Sequence, residues 1–224
     1  MYDIVMQFCY FDYIGIVVGE SLQVDKLSKL KIKYTIFISI FFVILYKGAE
    51  FYTYTVDNVP SYFMGWERNI PFLPIFMLPY MTSQVFFLAT IFLEKNESNL
   101  KLLIKRAAFL IAVSTALFVI FPMKFYFPKP EVDNQILKSF FYILGKIDSS
   151  FNQCPSLHVS FAFLSAEVYC REVKSKFLKS FFGIWGLLLA ISVLFVYQHH
   201  FIDFVGGTLI FLITCIIFPR KKAV

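Results

Sequence analysis

The sequence predicts an all-α, polytopic membrane protein built as a bundle of six transmembrane helices, and three observations carry that prediction. Of 224 residues, 58% are apolar and only 16% charged, well below the quarter or so charged in soluble domains. The apolar residues fall in long blocks, and thirty phenylalanines with thirteen tyrosines suit a lipid-facing surface better than a soluble core of this size. The basic residues sit between the blocks, 15 of the 21 of them in alternate gaps.

Each span is read against the roughly 20 mostly apolar residues needed to cross a bilayer core. The first covers 34–54, with Lys47 near its outer end, where a lysine can snorkel. The second, 70–93, carries no charge, and the third, 107–123, is bracketed by Lys105, Arg106 and Lys124. The fourth, 155–170, is short and carries Glu167. The fifth is 180–198, and the sixth is 201–219, with Asp203 in its first turn and Gly206-Gly207 allowing close helix packing. Residues 1–23 hold an apolar run, 14–18, too short to span, and no basic region precedes it as in a signal peptide. The expected organisation is an interfacial or cytoplasmic segment at 1–33, a six-span domain at 34–219 and a basic cytoplasmic tail at 220–224. Loop 124–154 is expected to form a partly ordered cap, with Phe140, Phe141 and Tyr142 near the headgroups.

Cytoplasmic loops retain Lys and Arg. Lys26, Lys29, Lys31 and Lys33 precede the first span, and Lys95, Lys101, Lys105 and Arg106 separate the second from the third. Arg171, Lys174, Lys176 and Lys179 separate the fourth from the fifth, and Arg220, Lys221 and Lys222 follow the sixth. Both termini are therefore expected in the cytoplasm. The net charge of +6 is explained by this topology rather than by nucleic acid, because the basic residues form no stripe. Cys9, Cys154, Cys170 and Cys215 are scattered, without C-x-x-C spacing, so neither a disulfide framework nor a metal or other cofactor is implied. Composition is silent on oligomeric state.

The three histidines, His158, His199 and His200, all fall on the opposite, outer side. Three clusters meet there: Phe121-Pro-Met-Lys-Phe-Tyr-Phe-Pro-Lys-Pro-Glu131, Phe151-Asn-Gln-Cys-Pro-Ser-Leu-His-Val159 and Tyr197-Gln-His-His-Phe-Ile-Asp203. Their convergence at one membrane depth marks a candidate active site. Each has a plain alternative: lysines outside a span serve as interfacial anchors, a lone histidine at a helix end is a hydrogen-bonding residue, and Pro155-Ser156 is a helix start. His199 and Asp203 are harder to set aside. Four apart on a helix they share a face, and an ionisable residue inside a span is expensive and usually functional. Asp203 would fix the tautomer of His199 and stabilise its positive form.

Together these parts fit phosphoryl transfer. Lys124 and Lys129 would neutralise phosphate oxygens, and the amides of Ser156 and Leu157 at a helix N-terminus would hold an anion, with the Ser156 hydroxyl as a further donor. His199 would attack phosphorus, and His158 would protonate the departing oxygen and then activate water. Lysines and helix amides supply the positive charge, so no divalent metal is required.

At these residues the chain resembles the type 2 phosphatidic acid phosphatase superfamily, whose motifs K-x6-R-P, P-S-G-H and S-R-x5-H-x3-D lie in this order at the outer ends of such spans. It is most similar to a bacterial branch with F-N-Q-x-P-S-L-H and T-Y-Q-H-H-F-I-D, which residues 151–158 and 197–203 match almost letter for letter. Glu67-Arg-Asn-Ile-Pro-Phe72 resembles that branch's D-R-x-I-P-F. The resemblance runs from about 60 to 215 and implies His199 as nucleophile, Asp203 as its supporting carboxylate and His158 as acid and base. Lys129, Ser156 and Lys124 take the phosphate-binding roles. Lys129 stands where the broad family has Arg, Lys124 is closer to it than K-x6-R-P allows, and Leu157 replaces Gly. The third-motif Arg falls at Val193, with His200 or Arg68 as candidate substitutes in substrate binding. The implied activity is metal-independent hydrolysis of a phosphate monoester or pyrophosphate on a membrane lipid, with phosphotransfer to an alcohol or lipid as the alternative and a non-catalytic scaffold behind it. The branch implies a bacterial inner membrane with a periplasmic active site.

Overall fold

The first proline of the chain is Pro60, and the first helix runs unbroken up to the loop that contains it. In the computed structural model, which describes the backbone of residues 2–220 and the side chains of 26–220, α1 is a single helix, Tyr2–Tyr54. It passes straight through the boundary expected at 33/34, joining the N-terminal stretch to the first span. The side chains of 1–25, Cys9 among them, and the tail residues 221–224 lie outside the described residues, so the interfacial reading of 1–23 falls there too.

The second expected span is not one helix. A short turn at Gly65–Asn69 and another at Pro74–Phe76 lead into α2 (Met77–Met81), which gives way at Thr82 to α3 (Ser83–Leu93). Pro79 lacks the N–H that a continuous ladder needs. The Thr82 hydroxyl caps the break, donating to the Pro79 carbonyl at 2.7 Å while accepting from the Trp185 indole at 3.0 Å. The remaining helices are α4 (Glu97–Ile120), α5 (Gln135–Ile147), α6 (Leu157–Glu172), α7 (Lys176–Phe195) and α8 (Phe201–Ile217). Side chains of Asn96, Asn134, Ser156 and Ser175 cap the N-termini of α4 to α7.

Among the described residues, Lys26–Tyr54, Pro74–Leu93, Glu97–Ile120 and Lys176–Phe195 are long and apolar enough to cross a membrane. These helices fit an integral membrane protein. The fourth and sixth expected spans, α6 and α8, have 16 and 17 residues, or about 25 Å at 1.5 Å per residue. α6 is the inner helix, in contact with α3, α4, α7 and α8, so it carries small and polar residues such as Ser160 and Ser165, both fully buried. α7 approaches it closely because a Cβ on Gly186 would stand 2.8 Å from the Ala166 methyl. The outward faces are apolar, with Ile40, Ile44, Ile184, Leu187, Leu209 and Ile216 all exposed.

The cap expected over 124–154 is α5, but only part of its aromatic run faces outward. Leu144 is buried and Leu137, Phe140 and Phe141 pack against the cluster of Met77, Tyr80 and Val159, while Tyr142 is exposed. Phe140 and Phe141 are thus half-buried on the inner face of α5 and Tyr142 lies on its outer face, as the helical period requires.

Apart from Lys47–Glu50 on α1, the Lys and Arg ion pairs among the described residues collect at one end of the bundle. Arg106, 4% exposed, grips both oxygens of Glu167 at 3.1 and 2.8 Å and the Phe218 carbonyl at 3.1 and 2.8 Å. Arg171 pairs with Glu94, Lys95 with Glu172, and Lys26 and Lys101 with Glu97. These tie the start of α4 to the ends of α3, α6 and α8. The histidines lie at the other end.

Candidate active site

The site is set by how α7 turns into α8. The Val193 carbonyl accepts from the amides of Gln198 and His199 at 3.0 and 3.1 Å, closing a tight turn that needs Tyr197 at φ 55°. The Tyr197 hydroxyl donates to the Ile70 carbonyl at 2.8 Å and fixes that turn to the chain before α2. His200 is the N-cap of α8, and the Asp203 carboxylate reaches back to accept from the His200 amide at 2.8 Å. His199 is thereby presented just ahead of the helix, 7% exposed, with Nδ1 3.5 Å from the Asp203 carboxylate. That contact is long for a hydrogen bond, and Nδ1 has no closer partner among the described residues. Catalytic contacts of this kind often tighten only when substrate binds.

α6 begins against α8. The Ser156 amide donates to the Asp203 carbonyl at 3.0 Å, and the Ser156 side chain accepts from Val159 N at 3.4 Å. Gly207 permits the approach, since a Cβ there would stand 2.5 Å from the Ser156 carbonyl. His158 follows on the first turn of α6. Its ring stacks on Tyr80 with centroids 4.4 Å apart, and lies 5.9 Å from the ring of His199. The two histidines, 41 residues apart in sequence, are thus brought side by side with their rings tilted by 59°.

Both line a cavity of about 580 Å³ between α1 and α2–α3, a size typical of ligand pockets. Its walls are apolar, including Ile38, Phe42, Val43, Phe87, Ile111 and Phe161. Polar groups gather at the histidine end: Tyr46, Tyr80, Asp148 and Asn152. Sequence reasoning assigned no role to these four. Asn152 lay inside the quoted F-N-Q run and adopts φ 56°, but the two tyrosines are neutral residues inside apolar spans and carry no sequence signal.

The other expected residues divide. Ser156 is fully buried and its amide is spent on Asp203, which leaves the Leu157 amide at the N-terminus of α6; Leu157 lines the cavity. Lys124 and Lys129 are exposed and outside the cavity lining. Burial nevertheless lowers the Lys129 ammonium below the ordinary lysine value of 10.5, opposed by the charge of Asp148. Lys124 is held by its backbone, its amide donating to Pro60 O at 2.9 Å and its carbonyl accepting from Ser61 Oγ at 2.6 Å. Arg68 is exposed with its guanidinium 5.1 Å from the Phe63 ring and 5.9 Å from that of Tyr126.

His200 is 2% exposed and both ring nitrogens are taken. Nε2 accepts from the Tyr126 amide at 3.1 Å, so Nδ1 carries the hydrogen and donates it to Glu67 at 3.0 Å. Burial lowers its pKa below 6.5 against the pull of Glu67 and Asp203. No nitrogen remains for a phosphate, and the residue is a strut. Glu67, 1% exposed, also accepts from the amides of Met64 and Phe201 at 2.7 and 3.0 Å, binding the outer loop to the start of α8. Val193, where the broad family's Arg falls, is fully buried among apolar residues. Among the described residues no group of three or more His, Cys, Asp or Glu could hold a metal.

No curated protein and no solved structure matched the chain. A family profile, however, matches residues 102–222, more than half of the chain, and spans α4 to α8 with both histidine motifs. On that match the chain belongs to the PAP2 superfamily, whose members are phosphatases.

Proposed function

We propose that this protein removes phosphate from a membrane lipid without a metal ion, through a phosphohistidine on His199. The observation that carries the reading is the pair of histidines 5.9 Å apart at the polar end of a 580 Å³ apolar cavity. An apolar cleft with a few convergent polar groups suits a lipid phosphate: the chain lies along α1 and α2–α3, and the phosphate reaches the histidines. Asp203 faces Nδ1 of His199, so Nε2 attacks phosphorus while the P–O bond to the lipid breaks. His158 gives its proton to the departing oxygen. It then takes a proton from water as the water oxygen bonds to phosphorus and the P–N bond breaks. The Leu157 amide, Lys129 and Lys124 supply positive charge to the phosphate oxygens.

In the membrane the helices form six spans, with the domain at 34–219 and the basic tail at 220–224. Gathering of all the described Lys and Arg ion pairs but Lys47–Glu50 at one end, and of the histidines at the other, supports this alternation. It sets both termini in the cytoplasm and the site at the outer face, which is periplasmic in a bacterial inner membrane. Transfer to an alcohol is the second reading. It calls on the same residues, with an alcohol in place of water in the second step, and the buried, unpartnered Oδ1 of Asn152 in the cavity lining can accept from either.

Purified protein, assayed with EDTA against a panel of lipid phosphates, tests both. Phosphate release by wild type and its loss in His199→Ala and His158→Ala is the expected result. Movement of label to an added alcohol without phosphate release favours transfer, and silence on both counts from folded protein refutes catalysis.

A further inference from the structure

Beyond the histidine end the cavity has a second polar level. Ser39 of α1 and Ser83 and Gln84 of α3 line it among Ile38, Phe42, Phe87 and Leu88. None of these three polar side chains makes a hydrogen bond among the described residues. Gln84 is exposed and the two serines are half-buried, within apolar helices where a polar group without a partner is costly.

The three stand at one depth. α1 and α3 run antiparallel, and the Lys31 ammonium, donating to the Phe92 carbonyl at 2.8 Å, fixes their register. Eight residues on from Lys31 is Ser39, and eight back from Phe92 is Gln84. At 1.5 Å per residue both lie about 12 Å from that bond, on the two helices that flank the cavity. Tyr80, whose ring stacks on His158, comes one turn before Gln84 across the break at Thr82. The second polar level is therefore one turn deeper into the bundle than the histidines.

We propose that Gln84, with Ser39 and Ser83, is a specificity-determining subsite that reads the linkage between the phosphate-bearing backbone of the lipid and its chains; this deepens the phosphatase reading and rests on it. A glutamine amide and two hydroxyls all offer donors. With the phosphate at the histidines, an ester or amide carbonyl a few bonds away falls at this level and accepts from them. A polyprenyl phosphate brings only hydrocarbon to the same place and leaves the donors unpaired, which a site built to hydrogen-bond penalises. The class selected is a lipid phosphate whose chains are joined through carbonyls.

The test gives the full chain in detergent dioleoyl phosphatidic acid and its diether analogue, which keeps phosphate, backbone and chains but lacks both carbonyls. Wild type should favour the ester in kcat/KM by about 10- to 100-fold, the worth of about two neutral hydrogen bonds. Gln84→Leu should bring that ratio below about threefold, and Ser39→Ala should fall between the two. Each ratio is taken within one protein, so the folded fraction of a variant cancels. An active wild type that handles ester and ether alike overturns the proposal, as does a ratio that survives in Gln84→Leu. Wild-type silence on both lipids refutes the phosphatase reading, and the subsite is then read in binding. There a larger rise of melting temperature with the ester, lost in Gln84→Leu, upholds the subsite, and an equal rise with both lipids overturns it.

Discussion

Alanine at Gly207 should leave a folded protein that is catalytically crippled. Its Cβ would stand 2.5 Å from the Ser156 carbonyl oxygen and 2.9 Å from the Val159 Cβ, where ordinary contact begins at 3.4 Å; the shortfall against backbone is 0.9 Å. Ser156 O cannot step aside. It accepts from Ser160 N at 3.2 Å, and the Ser160 hydroxyl lies 3.1 Å from it and 2.9 Å from Gly207 O. α8 must therefore back away as a unit, stretching the 3.0 Å bond from Ser156 N to Asp203 O and carrying His199 away from His158. Overpacking of this kind costs about 1–3 kcal/mol, and a displacement near 1 Å at the reacting centre costs about 100-fold in rate. At Gly206 the nearest atom is the Cys154 sulfur at 2.8 Å, a side chain able to rotate, so Gly206→Ala should lose about tenfold. Gly145 in α5 meets nothing within 4 Å, and Gly145→Ala should gain about 0.5–1 kcal/mol with activity unchanged. Phosphate release and thermal unfolding in detergent read all three. Gly207→Ala within threefold of wild type, at an unshifted melting temperature, refutes the close-approach reasoning.

Two further predictions concern pH. Burial depresses the folded-state pKa of His200 below its ordinary 6.5, so its stabilising contribution is present above 6.5 and is lost as pH falls through the depressed value. Protonation of Nε2 would set it against the Tyr126 amide. The melting temperature should therefore drop on acidification below that window, with a shallower drop in His200→Gln; equal slopes would remove the strut role. Lys129, lowered from 10.5 by burial, should lose its charge at lower pH than an ordinary lysine, so KM for a lipid phosphate should rise early on the alkaline side. Lys129→Arg, which stays charged, should move that rise to higher pH, and an unmoved profile would take Lys129 out of phosphate binding.

What was legible in the sequence was local. His199 and Asp203, four apart, come within 3.5 Å at the start of α8, where the Asp203 carboxylate reaches back over the N-cap, and Pro155-Ser156 marks the start of α6. Charge alternation ordered the spans, since Lys and Arg collected in every second gap also collect at one end of the bundle. What escaped was carried by contacts remote along the chain. Asp148 finds Tyr46 across 102 residues and Glu67 finds His200 across 133; nothing in loop composition marks Asp148, and the motif that begins at Glu67 does not tell its partner. Tyr80 read as one more aromatic in an uncharged span. The break at Thr82 was hidden because a span with prolines reads as one apolar block by hydropathy. His200 misled for the opposite reason: a histidine next to the expected nucleophile invites a ligand role, whereas both of its ring nitrogens are taken by Tyr126 and Glu67.

Hydrolysis and phosphotransfer would share the proposed phosphohistidine, so the choice between them rests on what reaches phosphorus opposite His199 in the second step. The cavity, at about 580 Å³, is the size of a single ligand site. Donor and acceptor lipids would have to occupy it in turn, the dephosphorylated donor leaving between α1 and α2–α3 before an acceptor entered. Water needs no such exchange. It requires only a polar foothold near His158, and Asn152 Oδ1 and Asp148 are acceptors among the polar residues of the lining. Transfer through one shared cleft predicts ping-pong kinetics, with the donor lipid inhibiting at high concentration. Hydrolysis predicts a burst of released alcohol followed by a steady rate insensitive to added alcohols. Asn152→Leu separates the two further: removing the foothold slows water attack in a hydrolase, whereas in a transferase it weakens acceptor binding and raises the KM for acceptor alone.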